Sequence, residues 1–384
     1  MNMRVAIVGV GQTKMGEHWE KSLRDLSTEA GALAVRDAGI TASDIDGLFI
    51  GNMSAGRFVG QEHLGALAAD QAGLTPIPAT RCEAACASGA LAFRKAYFSI
   101  LSGHHKIVMV GGAEKMTDLK ATGSVGTLMG AGDQEWESDI GLTFTGLYAL
   151  MARAYMERYG LTREELALVS VKNHLHGMKN PYAQFRFPVS VNDVVNSPLV
   201  ADPLRLLDCS PITDGAAAII LVSEDVAKRF ERPIWIGGSG QASDTLALHD
   251  REDMCRVKAA EKAAQMAYEQ AAVKPEDIDI AEVHDCFSIA EIIAYEDLGF
   301  APRGKGKSLL INKDTSLGGR IPVNTDGGLK VGHPVGATGI KQIIEVVRQL
   351  KGVAPNQVKG ARIGLTHNVG GSGATAVVHV LRSD

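Results

Sequence analysis

Ala34-Val35-Arg36-Asp37-Ala38-Gly39-Ile40-Thr41-Ala42-Ser43-Asp44-Ile45-Asp46-Gly47-Leu48-Phe49-Ile50 aligns without a gap with Ala267-Tyr268-Glu269-Gln270-Ala271-Ala272-Val273-Lys274-Pro275-Glu276-Asp277-Ile278-Asp279-Ile280-Ala281-Glu282-Val283. Each stretch reads as an amphipathic helix, a short turn and the entry into a strand. The acidic pairs Asp44/Asp46 and Asp277/Asp279 recur with it and read as duplicated turn residues rather than acid/base carboxylates.

Further pairs follow in the same order. Helix patterns after Gly89 and after Gly339 each carry a glycine near their end, Gly103 and Gly352, and lead to strand-like Ile107 to Gly111 and Ile363 to Thr366. A repeat this widely spaced signals a duplicated domain, not a solenoid unit. The fold class is therefore α/β, with two halves of helices packed on a sheet. The expected boundaries are residues 1–118 with 212–231 for the N-terminal half and 232–384 for the C-terminal half. Residues 119–211 break the pattern and read as an insertion. It holds helical stretches at Leu147 to Tyr159 and Arg163 to Lys179 and an extended run from Asn180 to Pro188, before Asp214 to Val222 resumes a buried strand. Long insertions inside a compact domain are often functional.

At 384 residues with 45% apolar and 5% aromatic content, the chain can bury a large core of helices closely packed on sheets. A net charge of −5 argues against broad nucleic-acid binding. The five cysteines, Cys82, Cys86, Cys209, Cys255 and Cys286, are scattered without a Cys-x-x-Cys pair. They suggest neither a disulfide framework nor a zinc ribbon, and suit a reducing cytoplasm. Met3 to Gly9 reads as a buried strand rather than a secretory signal, and no stretch approaches membrane-spanning length. Arg382-Ser383-Asp384 is not a peroxisomal address.

Chemistry concentrates in three segments. In Glu83-Ala84-Ala85-Cys86-Ala87-Ser88-Gly89, the cysteine stands at a strand-to-helix turn, where unpaired backbone N–H groups can lower a thiol pKa below its usual value of about 8.5. The plainer alternative is a small buried hydrophobe. Gly332-His333-Pro334 precedes the second-half counterpart of the helix that Cys86 begins, so pairing of the halves would bring nucleophile and base together. In isolation His333 would read as a turn histidine in solvent. His284-Asp285-Cys286-Phe287 falls where the repeated strand ends, the edge at which α/β sheets place ligands. As metal ligands His284 and Cys286 are only two, so no metal is expected.

Other segments read as background. Gly9-Val10-Gly11 lacks the third glycine of a dinucleotide loop, and Gly370-Gly371-Ser372-Gly373 lacks the lysine of a phosphate loop. Cys209 and Cys255 read as structural, and His104, His105, His174 and His176 as surface residues.

These motifs together resemble the thiolases over essentially the whole chain, in particular archaeal acetoacetyl-CoA thiolases and sterol-carrier-protein-type thiolases. The resemblance rests on the Cys86 segment, the His333 segment, the insertion, and the close Asn368-Val369-Gly370-Gly371-Ser372-Gly373. The sterol-carrier-protein type also shares His-Asp-Cys-Phe, where most thiolases carry Asn-Glu-Ala-Phe. The resemblance implies a layered α-β-α-β-α core, an acyl-Cys86 intermediate, His333 as base and an oxyanion loop at Gly370 and Gly371. Most thiolases have a second cysteine where this chain has Asn368; Cys286 would supply that thiol, with His284 polarising the thioester. Substrates would be coenzyme A thioesters, acetyl-CoA and acetoacetyl-CoA, with no permanently bound cofactor. A homodimer or homotetramer is implied, as is association with hydroxymethylglutaryl-CoA synthase through a zinc-ribbon OB-fold protein. Rival readings are a degradative 3-ketoacyl-CoA thiolase, a decarboxylating ketoacyl synthase and a non-catalytic thiolase-like subunit.

Overall fold

Nine strands form one sheet: β1 (Val5–Gln12), β2 (Gly47–Gly51), β3 (Ala79–Cys82), β4 (Ile107–Glu114), β7 (Gly215–Ser223), β8 (Ile234–Ser243), β9 (Ile280–Glu282), β10 (Ile363–Gly370) and β11 (Thr375–Arg382). A separate hairpin pairs β5 (Leu199–Ala201) with β6 (Leu204–Arg205). The structure, a computed structural model, describes residues 4–383. Met3, read as the start of the first strand, and the terminal Asp384 lie outside them.

The sheet order is β3-β2-β4-β7-β1-β8-β11-β10-β9. It is two copies of one arrangement meeting back to back. In the first, β2 and β4 are parallel while β7 and β1 follow antiparallel; in the second, β9 and β10 are parallel while β11 and β8 follow antiparallel. The place of β3 is taken by Val323, bridged in parallel to Ala281. Within the sheet, among the described residues, the copies join at Ala6 opposite Trp235 and Ile7 opposite Ile234.

The quoted repeat is the helix–turn–strand of each copy. Helices Leu23–Ala38 and Lys258–Ala271 end in left-handed residues, Gly39 at φ 66° and Ala272 at φ 53°. A 3-10 turn then leads into β2 and β9. Asp46 accepts from the backbone of Lys106 and Ile107, and Asp279 from that of Arg362 and Ile363. The repeated aspartates are thus turn and strand-register residues.

The two copies stack through a middle layer. Helices Ser88–Leu101 and Thr338–Lys351 share one apolar core, with Phe93, Ala96, Ile340 and Ile344 fully buried. Helix Leu23–Ala38 covers the outer face of the first copy and helix Lys258–Ala271 that of the second. Gly9 and Gly11 belong to this packing and not to a nucleotide loop. A Cβ on either would lie 2.5 Å from the carbonyl of Ala34 or Ala30, and one on Gly238 or Gly240 would press on Ala267 or Ala263 in the same way. Both outer helices therefore sit on glycine tracks.

Between β4 and β7 no strand joins the main sheet. Helices Phe144–Tyr159 and Arg163–Gly177 pack onto the second copy, where Leu147, Met151, Tyr155 and Leu166 share a core with Ile289, Ile292 and Tyr295. His174 and His176, expected at the surface, are buried in that contact. His176 has Nδ1 2.9 Å from the Asn324 carbonyl and Nε2 accepting from Leu317 N–H, while His174 packs on Phe187. Their neighbours come from distant segments, which a local polarity pattern does not register. His104 is exposed and His105 half-buried.

Candidate active site

β3 ends at Cys82, and the chain turns through the 3-10 segment Ala85–Ala87 before helix Ser88–Leu101 begins. Ala85 sits at φ 49°, a left-handed conformation that costs a non-glycine residue of order 1 kcal/mol. Three hydrogen bonds hold it. Ala85 N–H donates to Glu83 Oε1 at 2.6 Å, Ala84 N–H to Ser88 Oγ at 3.0 Å, and Ser88 Oγ to the Ala85 carbonyl at 2.6 Å. The turn leaves Cys86 half-buried on the wall of a cavity.

His333 enters from the second copy. Its Nδ1 lies 2.7 Å from Thr338 Oγ1, and that hydroxyl gives its single proton to the Pro334 carbonyl at 3.0 Å. The hydroxyl must therefore accept from Nδ1–H, which leaves the lone pair on Nε2. Helices Ser88–Leu101 and Thr338–Lys351 touch closely enough to bring the two residues together. A Cβ on Gly89 would lie 2.7 Å from the Gly336 carbonyl, and one on Gly339 2.4 Å from Ala90 N.

His284, just past β9, completes the group. Donor atoms of Cys86, His284 and His333 all lie within 4.8 Å of one another, and the two imidazoles meet edge to face at 5.3 Å. Three such atoms could in principle hold a metal ion, a convergence the sequence spacing did not show. Asn368 Nδ2, however, lies 2.9 Å from His284 Nδ1 and donates to it, so Nε2 carries the proton. An N–H there suits an oxygen, not a cation.

Cys286 lines the same cavity, of about 220 Å³, whose other walls include Met116, Leu128, Phe144, Ile212 and Val335. Its strand-end loop is anchored by Ser210 N–H, which donates to the Cys286 carbonyl at 2.8 Å, and by Asp285, which accepts from Leu329 N–H and Asn173 Nδ2. Tyr148, which sequence reasoning missed, stacks on Phe287 at 4.7 Å, donates to the Gly371 carbonyl at 3.0 Å and reaches the Cys286 sulfur. Nothing in the local pattern of its helix marks it. Cys209, read as structural, also lines the cavity, whereas Cys255 is fully buried away from it.

Gly371 also lines the cavity, with Gly370 just before it. A Cβ on Gly370 would press to 2.4 Å on the Ala84 carbonyl, and Gly371, at φ 62°, turns its N–H toward the Cys86 sulfur. Gly370 lines the adjoining cleft with Ala84 and Ala85.

The electrostatics correct one expectation. Burial pushes the Cys86 thiol up to about 12, outweighing the N–H groups of Gly371 and of Cys86 itself that favour the thiolate. Cys86 is therefore a thiol at neutral pH, not the lowered-pKa thiolate that its place before a helix suggested. Burial, then the charges of Lys341 and Lys330, push His333 down to about 3. Burial also holds His284 well below the usual range, and raises Cys286 with help from neighbouring Cys86. The resting site is uncharged: two thiols, one accepting imidazole and one donating imidazole.

Comparison with known proteins agrees with this architecture. Residues 5–225 match the family described as "Thiolase, N-terminal domain", and residues 240–383 match "Thiolase C-terminal domain-like". An acetyl-CoA acetyltransferase of Methanothermobacter thermautotrophicus is 55% identical over 98% of both chains, and one of Methanocaldococcus jannaschii is 50% identical, also over 98% of both. Among solved structures, an Ltp2-ChsH2(DUF35) aldolase superposes with TM-score 0.86 at 27% identity, covering 99% of this chain and 98% of that one. The chain belongs to the thiolase family, and it is an acyltransferase enzyme of that family.

Proposed function

We propose that this thiolase is an acetyl-CoA C-acetyltransferase, interconverting two acetyl-CoA with acetoacetyl-CoA and CoA. The observation that carries the reading is the meeting of Cys86, His333 and His284, whose donor atoms lie within 4.8 Å of one another, beside a cavity that Cys86, His333 and Cys286 line. The two archaeal relatives named acetyl-CoA acetyltransferases support the choice of substrate.

In the cleavage direction, Cys86 attacks the ketone carbon of acetoacetyl-CoA as its proton passes to His333 Nε2. Backbone N–H groups of Cys86 and the Gly370–Gly371 loop receive the oxyanion. The carbon–carbon bond then breaks, leaving acetyl-Cys86 and the enolate of acetyl-CoA, whose oxygen accepts from His284 Nε2–H. Cys286 gives its proton to the enolate carbon and becomes a thiolate, to which Tyr148 can donate by turning its hydroxyl from the Gly371 carbonyl. Incoming CoA passes its thiol proton to Cys286 and attacks the acetyl group, and Cys86 leaves with the proton held by His333. Condensation is the same path reversed. Because both thiols start protonated, no charge is buried until substrate arrives to balance it.

The product would feed hydroxymethylglutaryl-CoA synthase at the start of the mevalonate route, in association with that synthase through a zinc-ribbon OB-fold protein; the archaeal resemblance supports this. A homodimer or homotetramer fits β3, whose outer edge has no partner strand among the described residues. No helix among those residues is long and apolar enough to cross a membrane, and all five cysteines are unpaired, in keeping with a cytoplasmic enzyme.

The test is CoA-dependent cleavage of acetoacetyl-CoA by the purified chain beside two variants. Cys86→Ala should abolish cleavage, and Cys286→Ala should reduce it by about 10²- to 10⁴-fold. Wild-type protein that cleaves only longer 3-ketoacyl-CoAs would replace this reading with a degradative thiolase. Carbon–carbon cleavage that survives Cys86→Ala would favour aldolase-type chemistry, which needs no acyl-enzyme.

A further inference from the structure

His333 and His284 meet edge to face beside Cys86, yet their outer nitrogens meet opposite partners. Thr338 accepts from His333 Nδ1, which frees Nε2 to take a proton; Asn368 donates to His284 Nδ1, which leaves Nε2 holding one. His284 is 1% exposed, and its Nε2 has no hydrogen-bond partner. Leaving a buried N–H unpaired is unfavourable, and the penalty disappears when a ligand oxygen arrives. The ring gains nothing by taking a second proton, because His333 and His367 flank it and no carboxylate bonds to it.

We propose that Asn368 is a positioning residue: its side-chain amide locks His284 in the tautomer protonated on Nε2, so that this imidazole can only donate to substrate and His333 alone serves as base. Asn368 sits on β10 opposite Val377, one residue after His367. Its own Oδ1 is buried without a partner, against Gly339, where a Cβ would come within 2.4 Å of that oxygen. Glycine at 339 thus leaves the room the amide needs. A carboxylate at 368 would invert the arrangement, since it can only accept and would draw a proton onto Nδ1.

The kinetic half of the test rests on the thiolase reading, whereas the spectroscopic half stands without it. Protein labelled with ¹⁵N-histidine is examined by long-range ¹H–¹⁵N correlation, with the His284 signals identified by their loss in His284→Gln. In wild type, His284 should show an unprotonated Nδ1 and a protonated Nε2. In Asn368→Asp the proton should appear on Nδ1, and kcat for acetoacetyl-CoA cleavage should fall about 10²-fold with KM changed less than about 3-fold, the scale of losing one oxyanion donor. A wild-type His284 protonated on Nδ1 would overturn the proposal whether or not any variant folds. So would an Asn368→Asp protein with the wild-type tautomer. The wild-type tautomer found as stated in a protein that cleaves no 3-ketoacyl-CoA would uphold the role of Asn368 while removing the functional reading.

Discussion

Ser88 and Thr338 are the first residues of the two middle-layer helices, one from each copy of the duplicated fold. Their hydroxyls do the same local work for different clients. Each donates to a carbonyl of the preceding turn, Ala85 for Ser88 and Pro334 for Thr338. Ser88 then accepts from a backbone N–H and so holds the strained turn that presents Cys86; Thr338 accepts from an imidazole and so sets the proton position of His333. On the proposed mechanism a duplicated helix start is put to two uses, nucleophile in one half and base in the other. The pairing of Cys86 with His333 follows from symmetry of backbone, not of side chains.

The largest test of that division is His333→Asn, which leaves the helix start but removes the base. Cleavage of acetoacetyl-CoA should fall about 10³-fold, within the range for general-base loss. A fall smaller than tenfold would mean that His284 can take over the proton, and the two halves would not be specialised as described.

The protonation state of Cys86 comes next. With its thiol near 12, alkylation by iodoacetamide in a Cys286→Ala background should climb with pH by about tenfold per unit between pH 7 and 10, as the thiolate fraction does. A plateau beginning below pH 8 would restore the helix-terminus thiolate and contradict the dominance of burial.

Thr338→Val keeps the shape of the helix start but strands Nδ1–H of His333. That should cost about 1–3 kcal/mol of transition-state stabilisation, roughly a 5- to 150-fold loss in kcat/KM, and Thr338→Ser should recover most of it. If Thr338→Ser is as poor as Thr338→Val, methyl packing matters and the hydroxyl does not.

The smallest effect concerns the contact between the helices. Gly89→Ala and Gly339→Ala should each lower stability to urea by about 1–3 kcal/mol, because each Cβ meets backbone. The double variant should lose less than the sum, since one separation of the helices relieves both the contact of Gly89 with Gly336 and that of Gly339 with Ala90. Additive losses would show that the two glycines make independent contacts rather than a shared pseudo-symmetric one.

Much of this was legible in the chain itself. The gapless repeat announced two α/β copies because helix ends, turns and strand entries are encoded within a few residues. The aspartates that recur with it bind neighbouring backbone in both copies. Cys86 and His333 were found by their places ahead of equivalent helices, and the cavity does hold both. Gly9 and Gly11 were seen to be unsuited to a nucleotide, but that a helix backbone needs their lack of side chain was not visible. Tyr148 and His176 escaped because Phe287, Gly371, Asn324 and Leu317, which they bury against, come from the other copy, and His174 because its partner Phe187 lies beyond its helix in the same insertion.

The sequence by itself determined the duplication, the helix starts and which side chains could carry chemistry, because those depend on local backbone preference and periodicity. Only the tertiary structure decided the charge and proton arrangement of the site. Burial, which keeps Cys86 a thiol and both imidazoles neutral, is a property of the packed layers. The tautomer of His284 depends on an amide 84 positions away in the chain, and no local pattern reports which atom such a partner presents.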